Sequence, residues 1–212
     1  MRVVKAPDVR RSEILAAANQ LFQTQGYSRT SVDQIVNKVR IAKGTFYHYF
    51  KSKEQILDAL ADQLVLDMAY HSEQIANHTQ LNAIEKIVTI ISEQNRLQSE
   101  QQNVVDSMHL PDNRQLHERI NIKIVLTFGP ILATVIEQGN QQGLFDVKDP
   151  LSTIQFILAG SLFLFGEGVF NWPPEQAQAR IQSMIILIER TFGAQPGSMI
   201  IALNQCLNEE KR

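Results

Sequence analysis

Along residues 31–57 the apolar positions fall into short helical rhythms separated by brief polar breaks. Val32, Ile35, Val36 and Val39 recur at a spacing that puts them on one face of a helix, while Lys38 and Arg40 stay polar. Ser31 and Gln34 have the spacing of a capping box, in which the hydroxyl and the side-chain amide satisfy the free N–H groups of a helix start at about Val32. After a short turn, Ala42 to Phe50 reads as a second helix with Phe46 and Phe50 on its buried side, leaving Lys43, Thr45, Tyr47, His48 and Tyr49 for other surfaces. Gly44 lies in its first turn, where the missing side chain lets backbone approach a large flat ligand and helix N–H groups face phosphate. Ser52 and Gln55 repeat the capping spacing, so a third helix starts at Lys53. A cation at a helix start is unfavourable in isolation, which an external anion at that end would explain. The whole stretch reads as a helix-turn-helix aimed at a nucleic-acid backbone.

Helical periodicity continues through the rest of the chain, with no strand pattern, and predicts an all-α protein. Helices are expected over 9–25, 31–39, 43–50, 53–78, 81–98, 102–109, 112–142, 150–171, 174–192 and 198–208, with breaks at Leu110-Pro111, Gly143 to Pro150, Trp172-Pro173-Pro174 and Gly193 to Ser198. Gly129-Pro130 falls inside the long seventh helix, where proline removes one backbone hydrogen bond. The eighth and ninth helices are too apolar for ordinary surface helices of a monomer.

Charge sharpens the picture. The chain carries a formal net charge of -2, yet residues 1–53 hold ten Lys or Arg against three acids, and residues 54–212 hold ten against nineteen. A basic first quarter on an acidic remainder is expected where the former meets phosphate. One cysteine, Cys206, excludes an intrachain disulfide and fits a reducing compartment. Met1 to Pro7 has no apolar core of signal-peptide length, and the uncharged stretch from Pro150 to Gly166 is too short for a membrane span, so a cytoplasmic protein is expected.

The ordered series Thr30-Ser31-Val32, Val39-Arg40-Ile41-Ala42, Lys43-Gly44-Thr45-Phe46-Tyr47-His48-Tyr49-Phe50 and Lys53-Glu54 resembles the DNA-binding domain of the TetR (tetracycline-repressor-like) family over roughly residues 9–57. Two positions depart from it. Arg40 stands where the family usually has glycine, and a left-handed residue with a side chain costs about 1 kcal/mol. Ala42 stands where serine is frequent, so the second short helix lacks a side-chain cap, a loss of about 1 kcal/mol.

The resemblance implies a helix-turn-helix domain over 1–52 and a helical ligand-binding and dimerisation domain over 53–212. The expected function is a DNA-binding regulator, a repressor that binds a palindromic operator as a dimer and is released by a small molecule. Lys43, Gly44 and Thr45 are assigned to the groove, Tyr47, His48, Tyr49 and Lys53 to phosphates or sugars, and Thr30 and Ser31 to the neighbouring strand. Ile154, Leu158, Ser161 and Leu162 with Ile181, Ile185, Ile188 and Phe192 are assigned to a four-helix dimer interface, and Gly160 to close helix approach. Met108, Phe128, Phe163, Phe165 and Phe170 are candidate ligand contacts, with Glu167 a partner for a cationic ligand.

Enzymatic and metal chemistry find little support. His71 and His78 lie two helical turns apart, too far for one ion, and His109 and His117, which flank Pro111 and could converge with an acid, read better as structural or surface histidines. There is no HExxH, phosphate loop or GxSxG elbow, and no metal or cofactor is expected. The competing reading is a helical dimeric ligand- or protein-binding module that has lost operator binding, with Arg40 and Ala42 as the features that favour it.

Overall fold

The computed structural model describes residues 6–166, 170 and 172–209, the last three by backbone alone. Its helices are α1 (Pro7–Gln25), α2 (Val32–Val39), α3 (Lys43–Tyr49), α4 (Lys53–Ala76), α5 (Ala83–Glu100), α6 (Gln102–Met108), α7 (Arg114–Gln141), α8 (Pro150–Phe165), α9 (Pro174–Phe192) and α10 (Ser198–Glu209). A 3-10 turn at Pro111–Asn113 precedes α7. No strand occurs among the described residues, in agreement with the all-α expectation. The eighth helix stops at Phe165 rather than 171, because Gly166, a poor helix former, takes an extended backbone with ψ 131°.

The chain divides into two compact units. The first runs to Val65 and takes in Gln98–Ile120; the second is Leu66–Leu97 with the residues from Asn121 onward. The core of the first draws on residues beyond the helix-turn-helix. Ile14, Leu15, Ala18 and Phe22 of α1 meet Ile35 and Val36 of α2, Phe46 of α3 and Phe50, and this cluster is closed by Ile56, Leu57 and Leu60 of α4 and Val104 of α6. Burying a Phe or Ile of this kind stabilises by about 1.5–3 kcal/mol, so the two outlying contributions are substantial. Amides add direction: Asn19 and Gln23 of α1 donate to Gln101 Oε1 at 3.2 and 3.4 Å, and Asn103 Nδ2 returns to the Gln23 carbonyl at 3.3 Å. Arg119 at the start of α7 pairs with both Asp58 and Asp62 on α4.

The second unit is built around the latter part of α7. Pro111–Gln141 is long and apolar enough to cross a membrane, yet Phe128, Ile131, Leu132, Val135 and Ile136 within it are buried, so it serves as a core helix. Gly139 is required there: a Cβ would lie 2.0 Å from the Phe145 ring. Charges that are buried in this unit sit at helix ends of opposite sign. Lys86 Nζ donates to the Ala76 carbonyl, the last residue of α4, at 2.8 Å and to Gln138 Oε1 at 2.5 Å. Glu189 accepts from the N–H groups of Gly197 and Met199 at the start of α10, at 2.8 and 2.9 Å.

Candidate nucleic-acid interface

The α2–α3 turn forms from local signals. The Gln34 N–H donates to Ser31 Oγ at 3.2 Å and the Ser31 N–H to Gln34 Oε1 at 2.8 Å, which completes the expected capping box. At the other end of α2, Arg40 adopts φ 57°, ψ 50°. Its N–H reaches the Asn37 carbonyl and that of Ile41 reaches the Val36 carbonyl, each at 3.2 Å, the paired bonds of a Schellman stop. Arg40 is the sole non-glycine with positive φ among the described residues, so the turn keeps its shape and carries the strain of a side chain there. Ala42 precedes α3 without a side-chain cap, as expected.

On α3, Phe46 is buried against the core, while Lys43, Gly44, Tyr47 and His48 are exposed and Thr45 and Tyr49 are half-buried. Tyr49 packs against the core cluster and the His48 ring, leaving Tyr47 the more available of the two phenols. A Cβ on Gly44 would meet nothing within 4 Å, so nothing inside the chain requires a glycine at this position. Ser31 is exposed, and with its oxygen accepting from Gln34 the hydroxyl proton remains to donate outward.

Two of the expected contact residues have partners within the chain. Thr30 is only 2% exposed, and its hydroxyl donates to the Gly26 carbonyl at 2.9 Å and accepts from Gln25 Nε2 at 3.1 Å. Its side chain shapes the α1–α2 turn rather than meeting a neighbouring strand. Lys53 has an internal partner for its charge: Nζ donates to the Tyr27 carbonyl at 2.9 Å and lies 4.0 Å from the Tyr27 ring centre. Burial holds its pKa below the usual lysine value. The second capping spacing is met by half, since Gln55 N–H reaches Ser52 Oγ at 3.4 Å but Gln55 Oε1 takes the N–H of Lys51 at 2.8 Å.

Sequence reading passed over three features of this surface. Asp33 of α2 makes an ion pair with Lys43 Nζ at 2.7 Å, a contact that its position beside the turn could have signalled. Lys51 is exposed immediately after α3, and Arg11 is exposed with its guanidinium 5.2 Å from the centre of the Phe50 ring.

The candidate ligand residues are divided between the two units. Met108 is buried in the first unit and Phe128 in the second, Phe165 is half-buried, and Glu167 lies outside the described residues. Phe163 and Phe170 are exposed; they meet edge to face at 5.4 Å, with Phe170 stacked on Trp172 at 5.0 Å and Arg180 over the Trp172 ring. Helical spacing alone does not distinguish a pocket lining from a core or an outer face. Among the described residues no group of three or more His, Cys, Asp or Glu could hold a metal ion.

Of the expected interface residues, Ile154 and Phe192 are buried within the subunit, Phe192 against Phe145 at 5.2 Å. Leu158, Ser161, Leu162, Ile185 and Ile188 are half-buried, and Ser161 Oγ lies 3.1 Å from Met184 Sδ, which brings α8 beside α9. Ile181 is exposed, and so are Phe156, Phe163 and Leu164 of α8 and Ile186 and Leu187 of α9. The uncovered face is thus offset from the expected one, with Phe156, Gly160 and Phe163 at helical spacing along it.

Residues 14–60 match the family described as bacterial regulatory proteins, tetR family, and residues 91–185 match the tetracyclin repressor-like C-terminal domain. The transposon Tn10 TetC protein of Escherichia coli is 41% identical over 58 residues, which is 27% of this chain and 29% of that protein, so the match spans under a third of that relative's length. The fatty acid metabolism regulator protein of Bacillus subtilis is 29% identical over 142 residues, 66% of this chain and 71% of that protein. Thermus thermophilus FadR, a TetR family transcriptional repressor solved with lauroyl-CoA, has a similar fold with a TM-score of 0.60 at 17% identity, covering 83% of this chain and 93% of that one.

Proposed function

The chain belongs to the TetR family of bacterial regulatory proteins, and from that premise we propose that it is a cytoplasmic transcriptional repressor that binds a palindromic operator as a homodimer and leaves it when a small molecule binds. The observation that carries this reading is the outer face of α3, where Lys43, Gly44 and Tyr47 are exposed and Gly44 has open space above it. A helix bare at that position can lie deep in a major groove, with Lys43 and Thr45 toward base edges and Tyr47, His48 and Ser31 toward phosphates and sugars. The uncovered apolar face of α8 and α9 supports pairing of two copies, which presents two such helices to successive major grooves. Release by a ligand is supported by the ligand-bound form of the Thermus thermophilus neighbour. Such a ligand must favour the state in which the two recognition helices no longer match the operator.

Loss of operator binding, the competing reading, rested on Arg40 and Ala42, and the turn they occupy has its full set of Schellman hydrogen bonds. The deciding test is Gly44→Leu. A Cβ at this position meets nothing within 4 Å and leucine is the better helix former, so the variant is expected to fold with a melting temperature no lower than that of wild type and to bind the operator at least tenfold more weakly. Unchanged operator affinity would remove α3 from the groove.

A further inference from the structure

Residues 28–53 carry six Lys or Arg (Arg29, Lys38, Arg40, Lys43, Lys51 and Lys53) and a single acid, Asp33. Capping of α2 is supplied by Ser31 and Gln34, so Asp33 is not needed as a cap. Its carboxylate instead lies 2.7 Å from Lys43 Nζ, across the turn, with both side chains more than half exposed. Lys43 is the only lysine or arginine in α3. The hydrogen bond and the charge of Asp33 both hold the Lys43 ammonium more firmly protonated than usual.

We propose, on the reading that α3 enters the major groove, that Asp33 is a specificity-determining residue, a tether that keeps Lys43 from the phosphates of unselected DNA and holds it in register for a base edge of the operator. Affinity for random duplex rises with the number of phosphates that free cations neutralise, and a lysine paired with its own carboxylate adds nothing to that number. Sequence is read by contacts to base edges, where a lysine with a defined position discriminates and a freely sweeping one does not. The carboxylate also penalises close approach to the phosphate backbone in a wrong register. An exposed ion pair opens easily, so the operator can take the ammonium from Asp33 when the right acceptors are presented.

The test uses the full-length protein, a random duplex and an operator selected by the wild type from a random duplex library, with fluorescence anisotropy read across a salt series. Asp33→Asn is expected to bind random duplex about fivefold more tightly at 0.15 M salt, with a log–log salt slope steeper by about 0.9, the signature of one more neutralised phosphate. Operator affinity does not rise in step, so the ratio of operator to random binding falls. Asp33→Glu keeps the charge within reach of Lys43 and is expected to restore the wild-type slope. Equal gains on operator and random duplex, or an Asp33→Glu protein that behaves like Asp33→Asn, would overturn the tether while leaving the DNA-binding reading intact. A wild-type protein that selects no duplex would overturn both.

Discussion

The short helix α3 and the apolar helix α8 each leave one face uncovered, and the two faces are opposites. Around Gly44 stand Lys43, Tyr47 and His48; around Gly160 stand Phe156, which is 84% exposed, and Phe163, which is 61% exposed. At both glycines an added Cβ would meet nothing within 4 Å. A bare backbone among cations and hydroxyls suits a polyanion with a deep groove, whereas a bare backbone among phenylalanines suits another apolar helix. The two glycines are alike in the open space around them, and the neighbouring side chains set what each face suits.

The strongest way to break this contrast is to charge the apolar face. Phe156→Glu is expected to raise the dimer dissociation constant at least a hundredfold, about 3 kcal/mol, because symmetry buries two unpaired carboxylates in one interface. Sedimentation equilibrium reads it, and a dimer of unaltered strength would exclude this face of α8 from the interface. Gly139→Ala sharpens the contrast from inside. Its glycine is covered by the Phe145 ring of its own chain, so urea unfolding should show a loss of about 2 kcal/mol. Fully folded Gly139→Ala protein should still bind operator as the wild type does.

Tyr47→Ala acts on the polar face. Loss of one hydroxyl contact should weaken operator and random duplex alike by roughly tenfold, while the salt slope stays near that of wild type because no charge is removed. A steep change in slope would mean that Tyr47 positions a cation instead. The smallest effect is expected for Arg40→Gly, which relieves a left-handed backbone that already forms both of its turn hydrogen bonds. Stability should rise by up to about 1 kcal/mol, seen as a higher melting temperature; a fall would show that the Arg40 side chain contributes more than its backbone costs.

What could be read from the chain alone was set by near neighbours. The Ser31–Gln34 box, the stop at Arg40, the absent cap at Ala42 and the inward Phe46 depend on residues a few positions apart, and the structure agrees with each. The course of the helices was legible for the same reason, since helical hydrogen bonds are local. Tertiary structure decided everything that depends on distant partners. Lys53 finds a carbonyl and a ring at Tyr27, 26 positions earlier. Val104 closes the core of the helix-turn-helix from far down the chain. Ile154 and Phe192 turn inward while Phe156 and Leu187 stay bare, although all four are equally apolar in the sequence. Hydrophobic burial has no direction of its own, so a pattern of apolar residues states that a face must be covered, and only packing in three dimensions determines which residues cover it.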